Sequence, residues 1–284
     1  MRITCWQAGG YRVRQGSVLA GLRAAAAGAV AADTDLLVAP EMSLTGYEAG
    51  ADPRAPGTPV DGPEVQAVRD LAAQHGIAVV AGWPESPGSA SGPTGYRYNS
   101  AVLVDASGSA TVYRKTHLFG ARERATFAPG SEAVVQVDVA GVRVGLLVCY
   151  DVEFPETVRL HACAGADLLV VPSALPTADR VVATTLVPAR ALENGLFVAY
   201  VNWVGREAAL DYAGLTRVAG PDAALVAEAT GIDECLVTAD IDVGAIARIR
   251  AATPYLDDRR PELYTEAPSV AGSLRWRPTD LDQR

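Results

Sequence analysis

Lysine is nearly missing from this chain of 284 residues. It occurs once, at Lys115, while arginine supplies the rest of the 24 cationic positions. A coding bias toward arginine explains the scarcity but not the one ammonium that is kept. A compact, point-like cation can act where a planar guanidinium fork is too large and wrongly shaped, so Lys115 is a candidate functional residue. Cysteine is sparse too: Cys5, Cys149, Cys163 and Cys235 stand far apart with no C-x-x-C pair. That spacing gives neither a disulfide framework nor a zinc site, and it fits the reduced thiols of a cytoplasmic protein. His161 and Cys163 lack further clustered ligands and read as packing residues, so no metal is expected. There is no run of basic residues, and the formal charge is −9, which argues against nucleic acid or an anionic membrane as a partner. No stretch is apolar for long enough to span a bilayer. Residues 18–32, preceded by Arg12 and Arg14, loosely mimic a signal peptide, but Arg23 interrupts them and a strand at the N-terminus precedes them. A soluble protein is expected.

What is present is an ordinary globular composition, 49% hydrophobic and 20% charged. Strand-like and helix-like runs alternate. Strands are expected over residues 3–8, 36–39, 78–82, 99–104, 111–114, 134–139, 142–149, 168–171, 197–201, 213–218, 225–229 and 234–240. Helices are expected over 17–32, with Leu19 and Leu22 on the buried side, and over 62–74, 156–164, 180–193 and 243–250. Pro63 and Pro155 suit first helical turns. Several strands are continuous apolar runs, as in a sheet covered on both faces, and residues 137–144 read as a hairpin around Ala140-Gly141. The pattern predicts an α/β sandwich in a single domain. Two Pro/Gly/Ser-rich stretches read as a loop over the site (50–59) and a surface turn (86–95). The polar tail after Tyr255 is expected as an extended arm, with a domain boundary near residue 265 and the arm over 266–284.

Three segments carry chemistry. Cys149 follows apolar Gly145-Leu146-Leu147-Val148 and precedes Phe154-Pro155-Glu156, which places it at a strand-to-turn-to-helix junction where a helix N-terminus and a cation favour the thiolate. The alternative is a buried packing cysteine. Glu41 ends the strand Leu36-Leu37-Val38-Ala39-Pro40, where desolvation raises a carboxylate's pKa toward that of a general base; a salt-bridging or capping acid is the alternative. Lys115 ends the strand Thr111-Val112-Tyr113-Arg114, where it could face a developing oxyanion. Glu123, between Arg122 and Arg124, reads on its own as a solvated loop charge. A thiol, a base and an oxyanion-stabilising cation are the parts of acyl transfer. Missing are a G-x-S-x-G elbow, an H-E-x-x-H helix, a phosphate loop and a dinucleotide fingerprint. A Cys–His pair would need His75, His117 or His161, and of these only His117 sits in a loop plausibly near the site.

Together these segments resemble the carbon–nitrogen hydrolases of the nitrilase superfamily, with Glu41, Lys115 and Cys149 in the matching Pro-Glu-Met, Arg-Lys-Thr-His-Leu-Phe and Cys-Tyr-Asp motifs. The resemblance runs from about residue 2 to Arg260. It implies a four-layer α-β-β-α sandwich that pairs into an α-β-β-α-α-β-β-α homodimer, helped by the C-terminal arm. It also implies a cofactor-free mechanism with Glu41, Lys115 and Cys149 as catalytic residues and Glu123 as a second glutamate. Tyr47, Tyr150, Glu153, Ala174 and Trp203 are expected at the substrate. Tyr-Asp after the cysteine disfavours nitriles, and the chain is too short for the fused synthetases. Relatives acting on carboxylated substrates often carry arginine where Glu153 stands. An acid there could attract an amine, unless it caps the next helix or pairs with a structural arginine. Glu48 is a second acid that could face the pocket. The segments 115–130 and 149–156 most resemble 5-aminopentanamidases and stereoselective amidases acting on cyclic amino-acid amides. Residues 176–185 depart from those relatives. Hydrolysis of an N-carbamoyl amine, broad aliphatic amide hydrolysis and a catalytically idle binding module remain the alternatives.

Overall fold

The computed structural model describes residues 1–87 and 97–264. In chain order its strands are β1 (Arg2–Gln7), β2 (Leu36–Val38), β3 (Ala78–Glu85), β4 (Tyr98–Val104), β5 (Ala110–Arg114), β6 (Gln136–Val139) and β7 (Val142–Leu146). They continue with β8 (Leu168–Ser173), β9 (Phe197–Asn202), β10 (Val204–Glu207), β11 (Leu210–Ala213), β12 (Arg217–Ala219), β13 (Leu225–Glu228) and β14 (Cys235–Asp240). The helices are α1 (Tyr11–Arg14), α2 (Val18–Ala31), α3 (Tyr47–Gly50), α4 (Pro63–His75), α5 (Gly120–Thr126), α6 (Pro155–Cys163), α7 (Val187–Asn194) and α8 (Val243–Ala252). Pro63 and Pro155 do open α4 and α6.

Two six-stranded sheets run β14-β1-β2-β3-β4-β5 and β13-β12-β9-β8-β7-β6. Both follow one pairing order: antiparallel, two parallel, two antiparallel, read from β14 in the first and from β6 in the second. Side-chain alternation separates the layers. Ile3, Cys5, Leu36, Val38, Val80 and Leu103 join residues of the second sheet in one core. Their neighbours Trp6, Leu37, Val79 and Val102 pack instead with Leu22 of α2 and Val65, Val68 and Leu71 of α4. Helices α6 and α7 cover the second sheet, with Val158 and Val187 in the shared core. This is the α-β-β-α sandwich. Each such Leu or Val withdrawn from water favours folding by roughly 1.5–3 kcal/mol.

Several expected boundaries move. The strand over 142–149 ends at Leu146, because the chain must turn at Cys149. The strand over 134–139 starts at Gln136. The run 213–218 is not one strand: positive φ at Gly214 (63°) and Leu215 (61°) breaks it, leaving Ala213 at the end of a β10–β11 hairpin and Arg217 at the start of β12. The helix over 180–193 is divided into a π turn (Val182–Leu186) and α7, since Pro188 lacks an N–H for an uninterrupted helix. The loop expected around Glu123 is helix α5. Leu19 is only half-buried; Leu22 is fully buried. The 139–142 hairpin has the expected two-residue turn, with positive φ at Ala140 (46°) and Gly141 (78°). Most of the expected turn at 86–95, and the arm at 266–284, lie outside the described residues.

Candidate active site

Three strand ends converge. Beyond β2, Pro40 delivers Glu41, and Met42 turns the chain with φ of 54°. The neighbouring strand must approach closely: a Cβ on Gly82 would lie 2.5 Å from the Met42 nitrogen and 3.2 Å from the Glu41 carbonyl carbon, so only glycine fits without displacement. From the second half of the fold, the Trp203 indole N–H donates to the Glu41 carbonyl at 2.7 Å. Lys115 directly follows β5. Its backbone N–H donates to the Asn99 carbonyl, and its own carbonyl accepts from Gly130, both at 2.8 Å.

The Lys115 ammonium lies 2.8 Å from Oε1 of Glu41 and 2.8 Å from Oε1 of Glu123, with all three side chains at most 1% exposed. Glu123 is therefore a core residue and not the solvated loop charge its flanking arginines suggest. Its Oε1 also accepts from the Tyr47 hydroxyl at 2.8 Å, and its Oε2 accepts from the Phe119 N–H at 2.6 Å, at the N-terminus of its own helix. Burial pushes the Glu41 carboxyl above its ordinary value, against the pull of Lys115; the nearby Glu123 charge pushes in the same direction. Lys115 is held well above its usual range: burial opposes the charge, but the two carboxylates outweigh it. It stays an ammonium.

Cys149 opens a 3₁₀ turn (Cys149–Glu153) with φ of 46°, a left-handed conformation costly for a residue with a Cβ. The residue is partly exposed, yet its surroundings are dense enough that burial is the first cause of a pKa well above the thiol range. The Glu41 charge is second; Lys115 and the Ala174 backbone N–H, which hydrogen-bonds the sulfur, act the other way. Burial and the Glu41 charge thus oppose the thiolate that Lys115 and the turn favour, and a carboxylate able to take the thiol proton lies nearby. Tyr150 follows in the first turn, where a backbone N–H has no intrahelical acceptor.

Asp151 ties this turn to the Lys115 segment. Its carboxylate accepts from Tyr113 OH (2.9 Å), Thr116 Oγ1 (2.9 Å), His117 N (2.8 Å) and Val148 N (3.1 Å). His117 Nδ1 lies 2.9 Å from the same carboxylate, and its ring stacks on Phe154 at 3.9 Å. His161 is buried elsewhere and pushed down to about 4 by desolvation. Among the described residues no histidine bonds Cys149, so a Cys–His pair is not assembled. A cavity of about 430 Å³ opens alongside, lined by His117, Leu118, Phe127, Tyr150 and Phe154.

The residues expected at the substrate separate. Tyr47 gives its hydroxyl proton to Glu123, and the indole N–H of buried Trp203 donates to the Glu41 backbone, so neither proton is free for a ligand. Ala174 touches the sulfur through its amide. Glu48, the second acid considered for the pocket, is paired with Arg122 at 2.8 Å. Glu153 is half-buried, and no side-chain cap bond precedes α6. Arg190 donates to the Glu153 backbone carbonyl at 2.8 Å while its ion pair is to Glu193. Burial raises the Glu153 carboxyl, Asp179 adds to this, and Lys115 and Arg190 counter it. Asn99, Asp151 and Glu207 were not singled out by sequence. The only signal for Asn99 was a polar residue opening an otherwise apolar strand. No group of three His, Cys, Asp or Glu among the described residues is placed to hold a metal ion.

A model of the carbon–nitrogen hydrolase family matches residues 2–251. A Pseudomonas protegens protein named hydrolase in pqqF 5′ region is 41% identical, over 83% of this chain and 81% of its own. An (R)-stereoselective amidase from Pseudomonas sp. is 39% identical, over 83% of each. The crystal structure of an amidase from Nesterenkonia sp. superposes with a TM-score of 0.82 at 34% identity, covering 93% of this chain and 95% of that one. Variants of the amidase from Nesterenkonia sp. AN1 are solved with acrylamide and with the acetamide moiety of fluoroacetamide added covalently at the active site cysteine.

Proposed function

The chain belongs to the carbon–nitrogen hydrolase family and is an amidase of the nitrilase superfamily with an active-site cysteine; we propose that it releases ammonia from a small primary amide carrying an amino or guanidino group, through a thioester on Cys149. The observation that carries the assignment of roles is the ammonium bracketed by two buried carboxylates beside a strained thiol. Glu41 takes the thiol proton as sulfur attacks the carbonyl carbon. The oxyanion is held by the Lys115 ammonium and the Tyr150 backbone N–H. Collapse breaks the carbon–nitrogen bond, and the proton on Glu41 goes to the departing ammonia. Glu41 then draws a proton from water, which attacks the thioester and frees acid and thiol. Glu123 keeps Lys115 in place.

The substrate class rests on Glu153. Its carboxylate has no hydrogen-bond or ion-pair partner among the described residues, and the influence of the Lys115 charge on it supports a place near the site. An acid so placed favours a cationic end on the substrate and disfavours an anionic one. Ammonia release would be measured on 5-aminopentanamide, pentanamide, glutaramate and N-carbamoylputrescine, for the native enzyme and its Cys149→Ala and Glu153→Gln variants. We expect 5-aminopentanamide to be preferred, the preference to shrink in Glu153→Gln, and Cys149→Ala to be silent. Preference for glutaramate overturns the assignment of Glu153. Equimolar carbon dioxide and ammonia from N-carbamoylputrescine, as the best substrate, would replace this reading with carbamoyl-amine hydrolysis.

A further inference from the structure

Asn99 is the second residue of β4, opposite Pro84 of β3, and its side chain is 1% exposed. Its amide nitrogen donates to Oε1 of Glu41 at 2.6 Å and reaches Oε1 of Glu123 at 3.4 Å. The Lys115 ammonium donates to those same two oxygens. The Asn99 carbonyl meanwhile holds the Lys115 backbone. Two donors thus crowd one oxygen of Glu41, while the other, Oε2, is buried with no hydrogen-bond partner. The amide oxygen of Asn99 is likewise buried and unpartnered, which is a standing cost to folding. Rotating the amide to relieve it would turn that oxygen onto two carboxylates. The orientation is therefore dictated by charge.

We infer that Asn99 is a positioning residue that divides the work of the two Glu41 oxygens, anchoring Oε1 so that Oε2 alone carries the proton between sulfur, ammonia and water. The inference rests on the reading of Glu41 as the base. An oxygen already accepting two charge-assisted or polar hydrogen bonds is a poor proton acceptor, and the bare oxygen of the same carboxylate is the better one. The groups that bear on Glu41 are Lys115 after β5, Glu123 of α5, Cys149 after β7, Tyr47 of α3, Tyr200 of β9 and Tyr212 of β11. Among them Asn99 is a neutral donor whose removal changes no charge.

The test measures ammonia release across pH on the amide that the native enzyme turns over fastest, because only turnover needs the proton that Glu41 carries. Asn99→Leu keeps approximate shape without the amide, and Asn99→Ala serves if the leucine does not fold, judged by melting temperature. We expect kcat at neutral pH to fall about 10-fold or more, the loss expected for a hydrogen bond to a charged group. The Asn99 bond favours the carboxylate form of Glu41, so without it the acidic limb of the profile moves to higher pH and part of the rate returns there. In a variant that melts like the native enzyme, a fall by the same factor at every pH would overturn the inference, as would a profile unchanged within twofold. Glu41→Gln is the control. If it turns over like the native enzyme, the base assignment itself fails; if it is silent while Asn99→Leu is normal, only the role of Asn99 fails.

Discussion

At the scale of single residues, Lys115 is a test of shape against charge. Its ammonium sits between two carboxylate oxygens at 2.8 Å each with no space exposed to solvent. Arginine would preserve the charge but add a planar group with five donors to a site sized for one nitrogen. Lys115→Arg should lower kcat/KM by about 10²–10³-fold, the range for loss of an oxyanion donor, in a steady-state ammonia assay. Retention of more than a tenth of the activity would mean that any cation suffices. The lysine's scarcity made this residue legible in sequence. Glu41 and Cys149 were legible from their places at the ends of apolar strands. The sign of the thiol's pKa was not, because sequence showed a cation nearby but could not show the burial that outweighs it.

At the scale of elements, the hairpin β10–β11 was invisible in the sequence and matters to the site. Its turn is made by Ala208, with φ of 48°, and Ala209, where asparagine or glycine would have announced it. Glu207 on this hairpin is buried at 1% exposure and accepts from the N–H groups of Tyr47 (3.2 Å) and Glu48 (2.9 Å) and from the Tyr212 hydroxyl (2.6 Å). It thereby caps the short helix whose Tyr47 reaches Glu123. Glu207→Ala should destabilise the fold by about 1–3 kcal/mol, the cost of buried donors left unmet, and lower kcat through the slackened Tyr47. Urea unfolding and turnover measured together check this, and loss of stability with full kcat would confine Glu207 to a structural role. Helix α5 escaped notice for a related reason. Seven residues beginning at a glycine with positive φ give too short a period to read, so Glu123 was legible only through resemblance.

At the scale of the whole molecule, the layers followed from alternation and apolar runs, and the sandwich was legible before its details. Buried titratable groups were not, since burial depends on which helix lands on which sheet. His161 of α6 is fully buried, and desolvation lowers it to about 4 from an unfolded value of 6.5. The unfolded chain therefore binds this proton first as pH falls. His161 leaves stability untouched above pH 6.5 and erodes it between there and about 4, by roughly 3 kcal/mol in full. Urea midpoints at pH 7 and 4.5 should differ, and His161→Gln should narrow the gap; an unchanged gap would assign the acid sensitivity to other groups.

The base and the ammonium stand on one sheet, and the nucleophile on the other. Neither sheet by itself is a reagent. A chain emerging from synthesis has completed the first five strands, and both charged partners, before its sulfur is added, and the sulfur gains a proton acceptor only when the halves close on each other. Turnover is consequently a gauge of how well the two halves are seated. Loosening between them would silence the protein while its strands and helices persist.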